Sequence, residues 1–383
     1  MDQATVLRTA VATIYSAEAA ISWSQLADRS DIDWSGVADI ALATNLGPIL
    51  YRAVNQVDSD TKPHEILERL RSSYFETASR NMLLVNNLTV LLQNLRGANI
   101  PVIVLKGGAL AQTVYPDLAL RPMVDLDLLL PFPDLEDAIE ILETEGYDPI
   151  DLQPLADDSG LFWSEQSFAR PGDQNHPVEI HWHLLDSPSY ASRFSTEDVI
   201  LRATTFSIDN HEASMLCPED QLLHLSAHYI YHHLGNLPAA QVDIGLIIER
   251  YKQEIEWDRL IDSASEMKLG FVLRKTLSES RQDWFGAIST DVQAKLEKLP
   301  ASPGERLYAF SQRRKSTRVL RTAVSLPGFS RRLAFIWGNL FPTREYMVWR
   351  YNLDPAISRP RAYLKRLLVG IERLIRELNP PNK

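Results

Sequence analysis

The chain reads as an α+β protein: a small mixed sheet flanked by helical regions at both ends. Three observations predict that class. Residues 1–95 carry apolar residues at spacings of three and four, as in Ile66, Leu70, Tyr74, Ala78, Met82 and Val85, the pattern of helices with one buried face. Residues 96–215 change to short apolar or alternating runs separated by turn residues, which read as strands between helices. From residue 216 the helical spacing returns and continues to residue 383. The expected domains follow these changes: an N-terminal helical region (1–95), a core (96–215) and a C-terminal helical region (216–383) with a basic end.

Composition is that of an ordinary globular chain, with 45% hydrophobic and 23% charged residues among 383. The single cysteine, Cys217, excludes an internal disulfide framework and suits a reducing compartment. There is no signal peptide and no apolar run long enough to span a bilayer, so the expected location is cytoplasmic. The net charge of −11 is unevenly spread: from Glu305 onward there are 17 Lys and Arg against 5 Asp and Glu. A basic end of this kind meets a polyanion or docks on the acidic remainder of its own chain.

In order, Ala4–Ala20, a segment from Asp33-Trp34 through Ala38–Leu46, Pro48–Val54 and Pro63–Leu95 are the expected N-terminal helices. Arg71, Arg80 and Asn81 belong to a solvated helix face, with contact to a ligand as the alternative. Gly97 to Pro101 is a turn. Val102–Leu105 is a buried strand, followed at once by Lys106-Gly107-Gly108 and a short helix over Ala109–Tyr115. Two glycines after a strand let the backbone approach a ligand, and the helix start favours an anion. Val124–Leu130 is a strand with Asp125 and Asp127 on one face and leucines on the other. Adjacent carboxylates repel unless a cation meets them, and Mg²⁺ binds through one or two carboxylates plus phosphate oxygens. Asp134–Gly146 is an amphipathic helix capped by Asp134. Tyr147–Leu152, Leu161–Ala169 and Pro177–Trp182 are further strands, the last with Glu179 and His181 on one face.

Strand, Gly-Gly, helix, then D-x-D on the next strand resembles the nucleotidyltransferase superfold of DNA polymerase beta. The string LKGGALAQTVYPDLALRPMVDLDLLL is similar to a family of bacterial nucleotidyltransferases whose substrates are mostly uncharacterised. The resemblance implies a polymerase-beta-like core and a third carboxylate, for which Glu179 is the candidate. It further implies transfer of an NMP from an NTP, such as ATP, to a hydroxyl acceptor with release of pyrophosphate. Asp125, Asp127 and Glu179 would be catalytic and hold two Mg²⁺, with Mn²⁺ as an alternative. Gly107 and Gly108, with Lys106 and Arg121, would bind the nucleotide's phosphates. The acceptor is unidentified: a small molecule or protein ranks ahead of RNA. The alternatives are a binding module of the same fold that no longer turns over, and an RNA nucleotide-adding enzyme.

Farther along, Gln221–Leu234, Val242–Tyr251 and Trp257–Lys268 are expected helices. His224, His228 and His232 share one helical face. A row packed between helices is the favoured reading over a zinc site, since no Cys pair or H-E-x-x-H accompanies it. His228 or His232 approaching the nucleotide is a second use, and Asp243 is expected to face the same cleft. Gln312-Arg313-Arg314-Lys315 and Ser330-Arg331-Arg332 mark the basic end. Leu364–Leu378 is an amphipathic helix, for which packing on the core is preferred to a membrane surface or nucleic acid.

Overall fold

The computed structural model describes residues 2–27, 29–56, 64–154, 160–191, 193–283, 288–311, 318–354 and 356–378. The expected α+β architecture is observed. Seven strands form one mixed sheet: β1 (Ile103–Val104), β2 (Leu126–Leu129), β3 (Asp148–Pro149), β4 (Glu165–Arg170), β5 (Asp173–His181), β6 (Thr204–Ile208) and β7 (His211–Met215). Their spatial order is β3-β4-β5-β2-β1-β7-β6. β2 is antiparallel to β1 and parallel to β5, while β1 is parallel to β7.

β2 sits near the middle because every residue in it is buried. β5 changes character along its length. Its first half pairs only with β4, and from Val178 onward it also pairs with β2. Pro177 lies just before that point, where its missing N–H costs no second ladder bond. The gap between the expected strands Leu161–Ala169 and Pro177–Trp182 is mostly strand as well. Gly172, at φ 83, closes a tight turn and the strand starts at Asp173. The hairpin β6–β7 was not anticipated. Asp209 and Asn210 both take positive φ, 45 and 64, as a two-residue hairpin turn requires.

The N-terminal helices are Gln3–Ala12, Ala17–Ala27, Trp34–Ala43, Gly47–Asn55 and the long His64–Gly97. On the long helix Leu84, Leu88, Leu91 and Leu95 are buried, whereas Met82 and Leu83, assigned to the same face from spacing, are exposed. Leu135–Thr144 forms the expected helix, but Asp134 makes no side-chain cap there. A short 3₁₀ turn, Phe132–Asp134, leads into it instead.

One hydrophobic cluster joins the long helix, the leucines of β2, Val178 and Ile180 of β5, and the helices from Pro218 onward. A second joins the first four helices to Tyr115, Leu120, Val242 and Leu246. Helix Pro238–Tyr251 serves both: Ile244 and Ile247 face the first cluster, Val242 and Leu246 the second. This double packing fixes Asp243, which lies between those faces.

The C-terminal helices are Arg318–Ser325, Phe329–Leu340, Arg344–Tyr351 and Arg359–Leu378. Their small core of Ala323, Leu326 and Phe335 packs on Leu161, Phe162 and Trp163. Over the part of the last helix whose side chains are described, the expected packing on the core is not seen: Leu364, Leu367, Leu368 and Ile371 are exposed, and Ala362 is buried. The run Gln312-Arg313-Arg314-Lys315 lies outside the described residues. No helix among the described residues is long and apolar enough to cross a membrane.

Candidate active site

The site is assembled by strand register. Parallel pairing sets Asp127 of β2 against Glu179 of β5, and Leu129 against His181. Alternation then puts Asp127, Glu179 and His181 on one face of the sheet. One ligand atom from each lies within 4.8 Å of the others, close enough to share a metal ion were His181 to give up its proton. Antiparallel pairing of β4 sets Glu165 against His181. His181 bridges two carboxylates: its Nε2 is 2.9 Å from Asp127 Oδ1 and its Nδ1 is 3.2 Å from Glu165 Oε2. Its Nε2 also lies 3.7 Å from Glu179 Oε2.

Lys106 comes from the junction of β1 and the helix Lys106–Thr113. The Leu105 amide donates to the Asp127 carbonyl, which brings the junction against β2. Lys106 takes a left-handed backbone, φ 44. That conformation costs an L-residue on the order of 1–2 kcal/mol. Its ammonium donates to Asp127 Oδ1 at 2.5 Å. Gly107 and Gly108 occupy the first turn of the helix rather than a loop before it. Both admit close neighbours: a Cβ at Gly107 would meet Arg121 Nη1 and Met123 Cγ, each at 2.9 Å, and one at Gly108 would meet Val104 Cγ1 at 2.8 Å. No side chain caps this helix start.

The charges explain one another. Burial opposes ionisation of Asp127, but the Lys106 ammonium and the His181 hydrogen bond hold it well below the usual carboxylate range. Burial likewise disfavours a charged His181, yet its bonds to Asp127 and Glu165 lift it to about 10, so it is an imidazolium at neutral pH. Burial raises Glu179 to about 7, and the charge on Asp127 adds to the rise. Asp125 is half-buried just before β2 and is raised for the same two reasons, burial first and Asp127 second.

Arg121 lies elsewhere than its spacing from Asp125 suggested. Its guanidinium grips Asp243 of the helical region, with Nη2 at 2.8 Å from Oδ2 and Nε at 3.3 Å from Oδ1. Tyr115 donates to the same Oδ1 at 2.7 Å. Asp243 therefore faces the cleft as expected, but with partners of its own. Asn81 is fully buried, not solvated. It donates to the carbonyls of Leu118 and Arg121 at 2.6 and 2.8 Å and accepts from the Met123 amide at 3.2 Å. It thus braces the turn that leads to Asp125.

Lys106 lines several cavities, of which two concern the site. One, about 70 Å³, is lined by Lys106, Arg121, Tyr115, Asp243, His228 and His233, among others. The other, about 20 Å³, is walled by Lys106, Glu165, His181, His224, His228 and Tyr308, among others. The histidine row of helix Pro218–Tyr231 thus lines the site. His224 and His228 stack at 6.3 Å between ring centres, and His228 and His232 at 4.7 Å. His232 Nε2 meets Asp186 Oδ2 at 3.1 Å. His224 is buried with neither ring nitrogen hydrogen-bonded. Burial, then the Lys106 charge, pushes it down to about 3.

Sequence reasoning brought Asp127, Glu179 and Lys106 to one place but did not assign His181 or Glu165 to it. For His181 the signal was present, since E-x-H on a strand puts both side chains on one face. For Glu165 only the β4–β5 register reveals it.

Among solved structures, the chain is similar to the solution structure of the antibiotic-resistance factor ANT(2'')-Ia, at 12% identity and TM-score 0.35, covering 53% of this chain and 98% of that one. It is also similar to a crystal structure of an antigenic nucleotidyltransferase-like protein from Paracoccidioides brasiliensis, at 18% identity and TM-score 0.34, covering 53% and 94%. At such TM-scores neither likeness supports a structural argument. No curated relative matches the sequence. The sequence matches the uncharacterised nucleotidyltransferase family over residues 30–282, most of the chain, and the protein belongs to that family.

Proposed function

We propose that the protein is a Mg²⁺-dependent nucleotidyltransferase that moves an NMP from an NTP to a hydroxyl acceptor with release of pyrophosphate. The reading rests on its family and on one observation, the surplus of negative charge at the site. Four carboxylates, Asp125, Asp127, Glu165 and Glu179, face two cations, Lys106 and His181. Glu179 is raised by burial first and by the neighbouring charge of Asp127 second. Oxygen donors in excess of their counter-charges suit a hard divalent cation such as Mg²⁺, or Mn²⁺ in its place.

Asp125, Asp127 and Glu179 would hold two ions, with His181 beside them. When bound, the ions neutralise the triphosphate and lower the pKa of the acceptor hydroxyl. The chain's own groups do the rest. Lys106 turns from Asp127 to a phosphate oxygen as a point charge. The uncapped amides around Gly107 and Gly108 point at the same phosphates. Arg121, on the wall of the larger cavity, offers its remaining N–H groups there. Glu179, raised toward neutrality by burial, accepts the acceptor's proton. His181 stays charged and holds Asp127 and Glu165 in register.

The test supplies each α-labelled NTP with a cell extract as the source of acceptor, with and without EDTA. Label transfer with pyrophosphate release is expected only when Mg²⁺ or Mn²⁺ is present. Asp127→Asn, its fold checked by circular dichroism, is expected to abolish transfer, and full activity in that variant would refute the reading. Calorimetric ATP binding without pyrophosphate release would favour a module that no longer turns over.

A further inference from the structure

The C-terminal helices carry more exposed apolar surface than a free-standing face in water has reason to show. Leu320, Val324, Phe329, Trp337, Leu364 and Leu367 are each more than half exposed, from 56% to 81%. They lie on three of the four C-terminal helices, Arg318–Ser325, Phe329–Leu340 and Arg359–Leu378. The neighbouring helix Pro303–Ser311 adds Leu307 and Phe310, at 68% and 66%, while its Tyr308 reaches the histidine-walled cavity.

This apolar surface is set in a basic segment, with 17 Lys and Arg against 5 Asp and Glu from Glu305 onward. Three of its arginines bond only neutral groups of the segment itself. Arg332 donates to the Leu326 carbonyl, Arg366 to that of Asn339, and Arg321 to that of Ser311. Arg331, Arg350 and Arg361 are exposed.

We propose that this region is a docking surface for an anionic lipid membrane, on which the helices lie with their apolar side chains in the interface and their cations among the headgroups. Lipid is the occupant that uses both features at once. Basic amphipathic helices rich in Leu, Phe and Trp insert shallowly, and the surrounding cations are attracted to anionic headgroups. Trp337 is of a type that favours the headgroup level. Nucleic acid would use the cations and some rings, but not exposed leucines and valines. A second copy of the chain would set two strongly positive segments face to face. The chain's own acidic body is already in contact through Leu161, Phe162 and Trp163, and these faces stay open. The helices lie on the membrane rather than across it, since none described can span.

The experiment is co-sedimentation of the full chain with sucrose-loaded vesicles. One set is phosphatidylcholine alone, and the other contains about 30 mol% phosphatidylserine. Binding is expected with phosphatidylserine at low salt, with at least about a tenfold loss on phosphatidylcholine alone or in high salt. The double variant Leu367→Glu with Trp337→Ser, both exposed in the native fold, is expected to bind about tenfold more weakly while releasing pyrophosphate like wild type. The proposal is overturned if phosphatidylserine vesicles leave the protein in the supernatant, or if the variant pellets as well as wild type. It is equally overturned if an RNA oligonucleotide displaces the protein from vesicles, or if light scattering finds a dimer that the variant dissolves. None of these outcomes depends on the transferase reading, which has its own assay.

Discussion

Asp127 and Asp243 are both almost fully buried, at 2% and 1% exposure, and each is neutralised by a basic residue and a second polar side chain. Asp127 has Lys106 and His181, while Asp243 has Arg121 and Tyr115. The difference lies in what surrounds them. Asp243 and Arg121 balance one to one, and the pair ties the turn before β2 to helix Pro238–Tyr251. Asp127 has Asp125 and Glu179 as close neighbours, and its cluster stays negative after Lys106 and His181 are counted. A buried ion pair alone therefore says little about function. An unbalanced one beside a cavity does.

The comparison can be broken at four points. Glu179→Gln removes the surplus while leaving the Asp127 pairs in place, and is expected to lower transfer by about 10²- to 10⁴-fold with little change in melting temperature. A variant as active as wild type in the pyrophosphate assay would move the chemistry elsewhere. Asp243→Ala is the opposite case. It strands the Arg121 guanidinium, so about 3–5 kcal/mol of stability should be lost in urea unfolding. A variant that keeps its stability and loses transfer would make Asp243 part of the chemistry and erase the distinction.

Asn81→Ala tests the brace between the two centres. It leaves the carbonyls of Leu118 and Arg121 without their donor, at a cost of about 1–3 kcal/mol for each group not reached by water. Thermal unfolding would measure it, and an unchanged midpoint would show that the turn does not depend on this side chain. At neutral pH the smallest effect is at His224. Its folded value, about 3, lies below its ordinary 6.5 because burial and then the Lys106 charge exclude the proton. Between those values the unfolded chain binds a proton that the native chain does not. Stability is thus full above about pH 6.5 and falls as the pH drops toward 3, by up to about 1.4 kcal/mol per pH unit for this group. His224→Leu should flatten the acid side of a stability–pH curve, and an equal slope in both proteins would mean that the imidazole is protonated in the fold.

Much of this was legible in the sequence because it was local. Alternation in V-D-L-D-L-L-L and in P-V-E-I-H-W put acids on one face and apolar residues on the other, and the structure keeps both. What was hidden depended on partners distant in sequence. The ion-pair partner of Arg121, Asp243, is 122 residues away. Asn81 looked solvated because a buried polar residue on a long helix announces itself only through the carbonyls it meets. The β6–β7 hairpin had a readable turn in Asp209-Asn210, but its strands alternate weakly. The last helix showed an apolar stripe, and periodicity cannot say whether a stripe meets protein or something else.

Side-by-side pairing of β2 with β5 has an evolutionary corollary. The 43 residues between the two strands can lengthen or shorten in their loops without moving Asp127 or Glu179, because only pairing parity matters. A single residue gained inside either strand would turn its carboxylate into the leucine-rich interior. Homologues should therefore vary freely in the length of this connection while tolerating no insertion between Asp127 and Leu129 or between Glu179 and His181.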